Sequence, residues 1–144
     1  MKGKERKSDC INNTLSDIVN RRVFKTRNFS KWSEKTGLPD EALCRAFGEM
    51  VRGLTDADLG GGVVKKRVPL PGRGKRGGAR ALIATNKNDR WFFVFGFEKK
   101  ERENIQADEL EGLQTMARDL LGLPEARLES SLREGILEEI CREK

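Results

Sequence analysis

Arg90-Trp91-Phe92-Phe93-Val94-Phe95-Gly96-Phe97 is apolar at nearly every position. A strand with one wet face alternates apolar and polar residues. A run that does not alternate belongs to a strand covered on both faces, so this one is expected at the centre of a sheet. Ala79–Asn86 reads as the strand before it, and Lys87-Asn88-Asp89 as the tight turn joining the two. Val63–Val68 is a third strand, preceded by the chain break Gly60-Gly61-Gly62. Alternation puts Lys65 and Arg67 on one of its faces and Lys66 on the other. Pro69 to Gly78 is expected to be a long, basic, proline- and glycine-rich loop. Val23-Phe24-Lys25-Thr26 reads as the first strand.

Helical periodicity brackets these strands. Asn28 is placed as the N-cap of a short helix bearing Phe29 and Trp32 and stopped at Gly37. Pro39-Asp40-Glu41 opens a stronger one, since proline and acids both favour a first turn. Its core stripe is Ala42, Leu43, Ala46, Phe47, Met50, Val51 and Leu54, with Gly53 at the end. Further on, Leu110, Leu113, Met116, Ala117, Leu120 and Leu121 mark one face of a helix ended by Gly122 and Pro124, and Ala126–Arg133 is a shorter one. Ile136, Leu137 and Ile140 carry no decisive period. Residues 1–20 read as an extension in which Ile11, Leu15, Ile18 and Val19 share a helical stripe, able to dock on the domain or to bind a partner. The expected fold is α+β: a small antiparallel β-sheet with helices packed on it, C-terminal helices, and an N-terminal appendage. The domain would occupy residues 21–144.

At 144 residues the chain is one domain's worth of sequence. It has no apolar run long enough for a membrane span and no h-region behind its charged N-terminus, so a cytoplasmic protein is expected. Cys10, Cys44 and Cys141 are odd in number and lack a CxxC spacing, so neither a zinc site nor a disulfide is expected. Cys44 lies on a helix's apolar face and reads as core. There is no His and no Tyr. That removes the commonest metal ligand and the commonest general acid–base group, leaving Lys, Arg, Asp, Glu and the backbone for any catalysis. No cofactor is expected.

Charge is unevenly spread. Residues 101–144 hold 12 acids and 6 bases, so the first 100 residues carry +12 of a chain whose net charge is +6. Lys65 to Arg80 alone holds seven cations and no acid: Lys65, Lys66, Arg67, Arg73, Lys75, Arg76 and Arg80. Such a run repels itself unless a polyanion is bound, which points to a phosphate backbone. The basic half would face RNA and the acidic half would be turned away. Gly72-Arg73-Gly74-Lys75-Arg76-Gly77 matches GxGxxG literally, but a dinucleotide fingerprint needs a helix after it, and here a strand follows.

Several stretches together resemble the RelE-like toxins of bacterial type II toxin–antitoxin systems, in the branch related to HigB. They are Arg22-Val23-Phe24-Lys25-Thr26-Arg27, Asp56–Arg67, Gly77-Gly78-Ala79-Arg80, and Phe95-Gly96-Phe97-Glu98-Lys99-Lys100-Glu101-Arg102-Glu103-Asn104-Ile105. The resemblance runs from about Arg22 to Ile140 and omits residues 1–20. It implies a RelE-like sheet and a metal-free endoribonuclease that enters the ribosomal A site and cuts mRNA by 2′-OH attack. It also implies a helix-turn-helix antitoxin as partner.

By that resemblance the catalytic set is Lys65, Lys66, Arg67, Arg80, Lys100 and Arg102, with Arg73, Lys75, Arg76 and Lys99 binding RNA. In-line attack builds charge on a pentacoordinate phosphorane, so preorganised cations are the main requirement. Arg80 would contact the scissile phosphate through its guanidinium fork. A basic-strand lysine crowded by other cations would serve as general base, and Lys100 and Arg102 would support the leaving oxygen. Relatives of this kind use a tyrosine soon after the last basic segment, and Gln106 stands near the equivalent position here. Trp91, Phe95 and Phe97 could stack on a base but read more naturally as core. Two alternatives stay open: a ParE-like inhibitor of DNA gyrase, and a catalytically degenerate RNA-binding toxin homologue.

Overall fold

The computed structural model describes residues 20–72 and 74–142, without the side chains of 74–77. The extension expected over residues 1–20 thus lies outside the described residues, all but its last. Strand β1 (Arg22–Thr26) leads into helices α1 (Arg27–Thr36) and α2 (Asp40–Val51). Strands β2 (Ala57–Gly60), β3 (Val63–Leu70), β4 (Gly74–Thr85) and β5 (Arg90–Glu98) follow, then α3 (Ala107–Leu121), α4 (Glu125–Arg133) and β6 (Leu137–Ile140). The six strands form one sheet in the order β2-β3-β4-β5-β1-β6. All neighbours are antiparallel except β1 and β5.

The apolar run of β5 sits inside the sheet, between β4 and β1, with a core on each side. On one face α1 and α2 pack through Phe29, Leu43, Ala46 and Met50 against Val64, Val68, Ala81, Ile83 and Phe93. On the other, Leu113 and Ala117 of α3 and Leu128 of α4 close over Phe24, Val63, Leu82, Ala84 and Phe92. A register shift between Leu82 and Ile83 pairs these residues with Phe95 and Phe93, leaving Val94 as the extra residue of a bulge. Phe92 and Phe95 can therefore share a face although they are three positions apart, an odd spacing that would otherwise put them on opposite faces. At Gly96 the Trp32 ring of α1 lies directly on the strand, so close that a Cβ there would fall 2.3 Å from a ring carbon.

Several local expectations change. The α1 cap is Thr26, whose side chain accepts the Phe29 N–H at 3.2 Å, not Asn28; the chain turns helical straight from β1. Gly37 ends the helix as expected, in the left-handed conformation at φ 79°. Leu54 lies beyond the end of α2 and is 54% exposed, so it leaves the core stripe. The expected loop Pro69–Gly78 is mostly strand. The β3–β4 ladder runs on to the pair Leu70 and Gly74, with a register shift at Pro69, which has no N–H to give.

The cysteines need the largest correction. Cys44 of α2 and Cys141, just after β6, form a disulfide with Cα atoms 5.4 Å apart at a separation of 97 positions in sequence. No spacing rule reaches over that separation, and the strand that delivers Cys141 had no period to betray it.

Two outcomes follow for stability. Gly96→Ala is expected to cost about 1–3 kcal/mol in urea unfolding, because the Trp32 ring must leave its place against the strand. Reducing the disulfide, or Cys141→Ser, is expected to cost about 2–5 kcal/mol, read as a lower urea midpoint with reductant than without.

Candidate nucleic-acid interface

Alternation on β3 divides its cations. Lys66 follows Val64 and precedes Val68, so it turns toward α2, where its Nζ meets Glu49 at 2.7 Å and the Leu54 carbonyl at 2.8 Å. The Lys66 hydrogen bond is the main cause that holds the Glu49 carboxyl below its ordinary value. Lys66 is thus neutralised on one face. Lys65 and Arg67 belong to the opposite face.

On that opposite face, register brings the distant cation in. Arg67 pairs directly with Arg80, and Arg80 in turn pairs with Phe97 of β5. Same-face partners on neighbouring antiparallel strands stand about 5 Å apart at Cβ. Arg67 is exposed and Lys65 and Arg80 are half-buried. Arg80 donates only a long 3.4 Å bond to its neighbour's carbonyl at Ala79. Among the described residues no carboxylate pairs with Lys65, Arg67 or Arg80. The Asp56 carboxylate comes near only to accept the main-chain N–H of Arg67.

These three cations have no carboxylate partner among the described residues because of where the helices lie. α3 covers this face over Val63, Ala84 and Phe92, at the other end of the strands. Toward Arg80 and Phe97 the chain leaves β5 through the turn at 99–104 instead. Lys99 and Lys100 are exposed on that turn, Lys100 standing 3.8 Å from Glu98. Arg102 folds back over the sheet, its guanidinium 5.6 Å from the ring centroids of both Phe95 and Phe97.

Glu109, one turn into α3, holds Arg102 there. Its carboxylate takes Nη1 at 2.7 Å and Nη2 at 2.9 Å, a two-pronged grip, and also accepts the Gln106 N–H at 2.8 Å. The second bond is half of a capping box that starts α3. The Arg102 hydrogen bond, followed by that of Gln106, pulls the Glu109 carboxyl down to about 2. Sequence reasoning missed Glu109. The Gln106-x-x-Glu109 spacing was the available signal, since capping boxes have that period.

Of the ten residues singled out in the sequence, the fold brings Lys65, Arg67, Arg80 and Arg102 to one face. Lys100 and Lys99 lie on the adjoining turn and Lys66 on the far side of the sheet. Arg73 lies outside the described residues, as do the side chains of Lys75 and Arg76. Trp91 and Phe97 are buried, whereas Phe95 is only half-buried. Among the described residues, no helix is long and apolar enough to cross a membrane.

Compared with known proteins, the chain matches the family model described as the RelE toxin of the RelE/RelB toxin–antitoxin system, over residues 21–140. No individual curated protein matches it.

The grip of Arg102 on Glu109 fixes a pH dependence. A carboxyl lowered by folding stabilises the fold above its ordinary value of 4.5, and that contribution is lost as pH falls toward about 2. A carbon-13 titration of the Glu109 carboxyl is expected to give a midpoint near 2, moving back toward 4.5 in Arg102→Met.

Proposed function

The chain belongs to the RelE toxin family, and on that premise we propose that it is a ribosome-dependent endoribonuclease that cuts mRNA in the ribosomal A site. What carries this reading is the pairing of Arg67 with Arg80 across β3 and β4, beside Lys65 and without a carboxylate among the described residues to neutralise them. Two like charges placed opposite each other destabilise a sheet. A phosphate between them turns that cost into binding.

In the reaction, the ribose 2′-oxygen attacks the adjacent 3′-phosphate. The P–O2′ bond forms as the P–O5′ bond breaks, giving a 2′,3′-cyclic phosphate and a 5′-hydroxyl. Negative charge grows on the non-bridging oxygens of the phosphorane, and the guanidinium forks of Arg80 and Arg67 answer it. Lys65, on the same face, takes the 2′-OH proton in the form of its neutral amine. Lys100, on the adjoining turn, supplies one to the departing 5′-oxygen. Every step uses the chain's own amines and guanidiniums, and Lys66, bound to Glu49, takes no part. Lys99 and the basic hairpin with Arg73, Lys75 and Arg76 would hold flanking phosphates. The partner is a small helix-turn-helix antitoxin, and the site of action is the cytoplasm, where translation runs.

Arg80→Ala is the direct test. Cells expressing the wild type should show new mRNA ends inside translated codons by primer extension, lost when translation is blocked. The variant should lower cleavage by about 10²–10³. Growth arrest with intact mRNA would overturn the reading in favour of gyrase inhibition, and an Arg80→Ala variant that cuts as well as wild type would remove its central residue.

A further inference from the structure

The face that carries Arg80 has a second feature, which the phosphate chemistry leaves unused. Phe95 and Phe97 present rings with centroids 6.3 Å apart. Arg102 lies over both, and the two prongs of Glu109 occupy its Nη1 and Nη2. Glu109 takes one N–H from each Nη and the Asn104 carbonyl takes another from Nη1 at 3.4 Å, which leaves two of the five N–H groups of the fork. What it offers besides is the flat side of its guanidinium, in a side chain that is 34% exposed. A guanidinium plane of fixed orientation is a surface on which nucleobases stack. Register says where that surface sits: Phe97 pairs directly with Arg80, so the platform begins one strand spacing, about 4.8 Å, from the strand bearing the phosphate ligand.

We propose that Arg102, held over Phe95 and Phe97 by Glu109, is a stacking platform for a nucleobase beside the scissile phosphate, with Glu109 as its positioning residue. This rests on the nuclease reading and deepens it by naming the surface that orients a base in a chain without tyrosine. It also moves Arg102 away from the leaving-oxygen role expected from the sequence.

The platform is separable from the fold. Arg102→Lys keeps the charge but loses the plane and the fork. Glu109→Gln keeps an N3 side chain able to complete the capping box while removing the charge that grips Arg102. On the substrate side, an abasic nucleotide next to the cut removes the base and leaves the protein untouched.

Cleavage of ribosome-bound mRNA is measured for wild type, Arg102→Lys and Glu109→Gln. Each is given an A-site codon with all its bases, and the same codon made abasic on either side of the cut. The abasic codon should lower wild-type kcat/KM by roughly tenfold or more. Arg102→Lys should lower it by a similar factor on the intact codon. The two changes together should cost no more than either alone, because both remove one contact. Glu109→Gln should follow the same pattern, more weakly, with its melting temperature nearly kept. A merely structural role for Arg102 predicts losses that multiply, and multiplied losses, or none, would sink this proposal while leaving the nuclease standing. Failure of the wild type to cut any programmed mRNA would sink both.

Discussion

Burial of the β4–β5 ladder on both faces is the constraint on which the rest of the molecule depends. Ala81, Ile83 and Phe93 look toward α1 and α2, while Leu82, Ala84 and Phe92 look toward α3 and α4. Among the described residues, a charged group stands on these strands without a counter-charge only where a covering layer stops; Arg90, under the end of α3, donates to the Leu120 carbonyl and pairs with Glu125. The layer stops at one end of the second face, beyond the reach of α3, and Arg80 stands there. The bulge at Val94 matters for the same reason, because it turns Phe95 and Phe97 to the face of Arg80.

The distribution of charge follows from this arrangement. The cations on the structural side of the molecule are answered by acids. Lys25 meets Asp40 at 2.8 Å, and Lys66 meets Glu49. The guanidinium of Arg22 lies over Phe24 and bonds to Glu139, Glu129 and Glu125. Much of the negative charge of the C-terminal third is therefore spent at the β1–β6 edge, on Arg22 and on Arg90, which lies 3.5 Å from Glu125. Lys65, Arg67 and Arg80 lie outside that compensation. The separation of acidic and basic halves seen in composition is, in three dimensions, a separation between a neutralised edge and a face on which, among the described residues, Lys65, Arg67 and Arg80 have no carboxylate partner.

Much of this was legible beforehand wherever the cause is local. Period-two alternation follows from the pleat, so the split of Lys65 and Arg67 from Lys66 needed no coordinates. The double burial of Trp91–Phe97 and the stripes of α2 and α3, apart from Leu54 and Met116, which are exposed, follow from side-chain sterics within a few residues. Strand β2 escaped notice because Asp58 and Gly60 are poor strand formers and its partner supplies the pairing. Strand β6 escaped because four residues, half of them acidic, carry too short a pattern to count.

What the sequence determined by itself, then, is four of the six strands and the four helices, the class of fold, and a cluster of cations without counter-charges nearby in the chain. These depend on interactions that span a few residues. Tertiary structure alone decided which groups meet across long separations. Arg67 stands opposite Arg80 because one ladder extends to Leu70 and Gly74. Cys44 reaches Cys141 over 97 residues, and Arg22 reaches Glu139 over 117. Arg102 stands over two rings because a capping carboxylate at the start of α3 happens to face the end of β5. Loop-closure entropy grows only slowly with length, so such distant pairings are cheap to make once the core has formed, and they leave no periodic trace in the sequence.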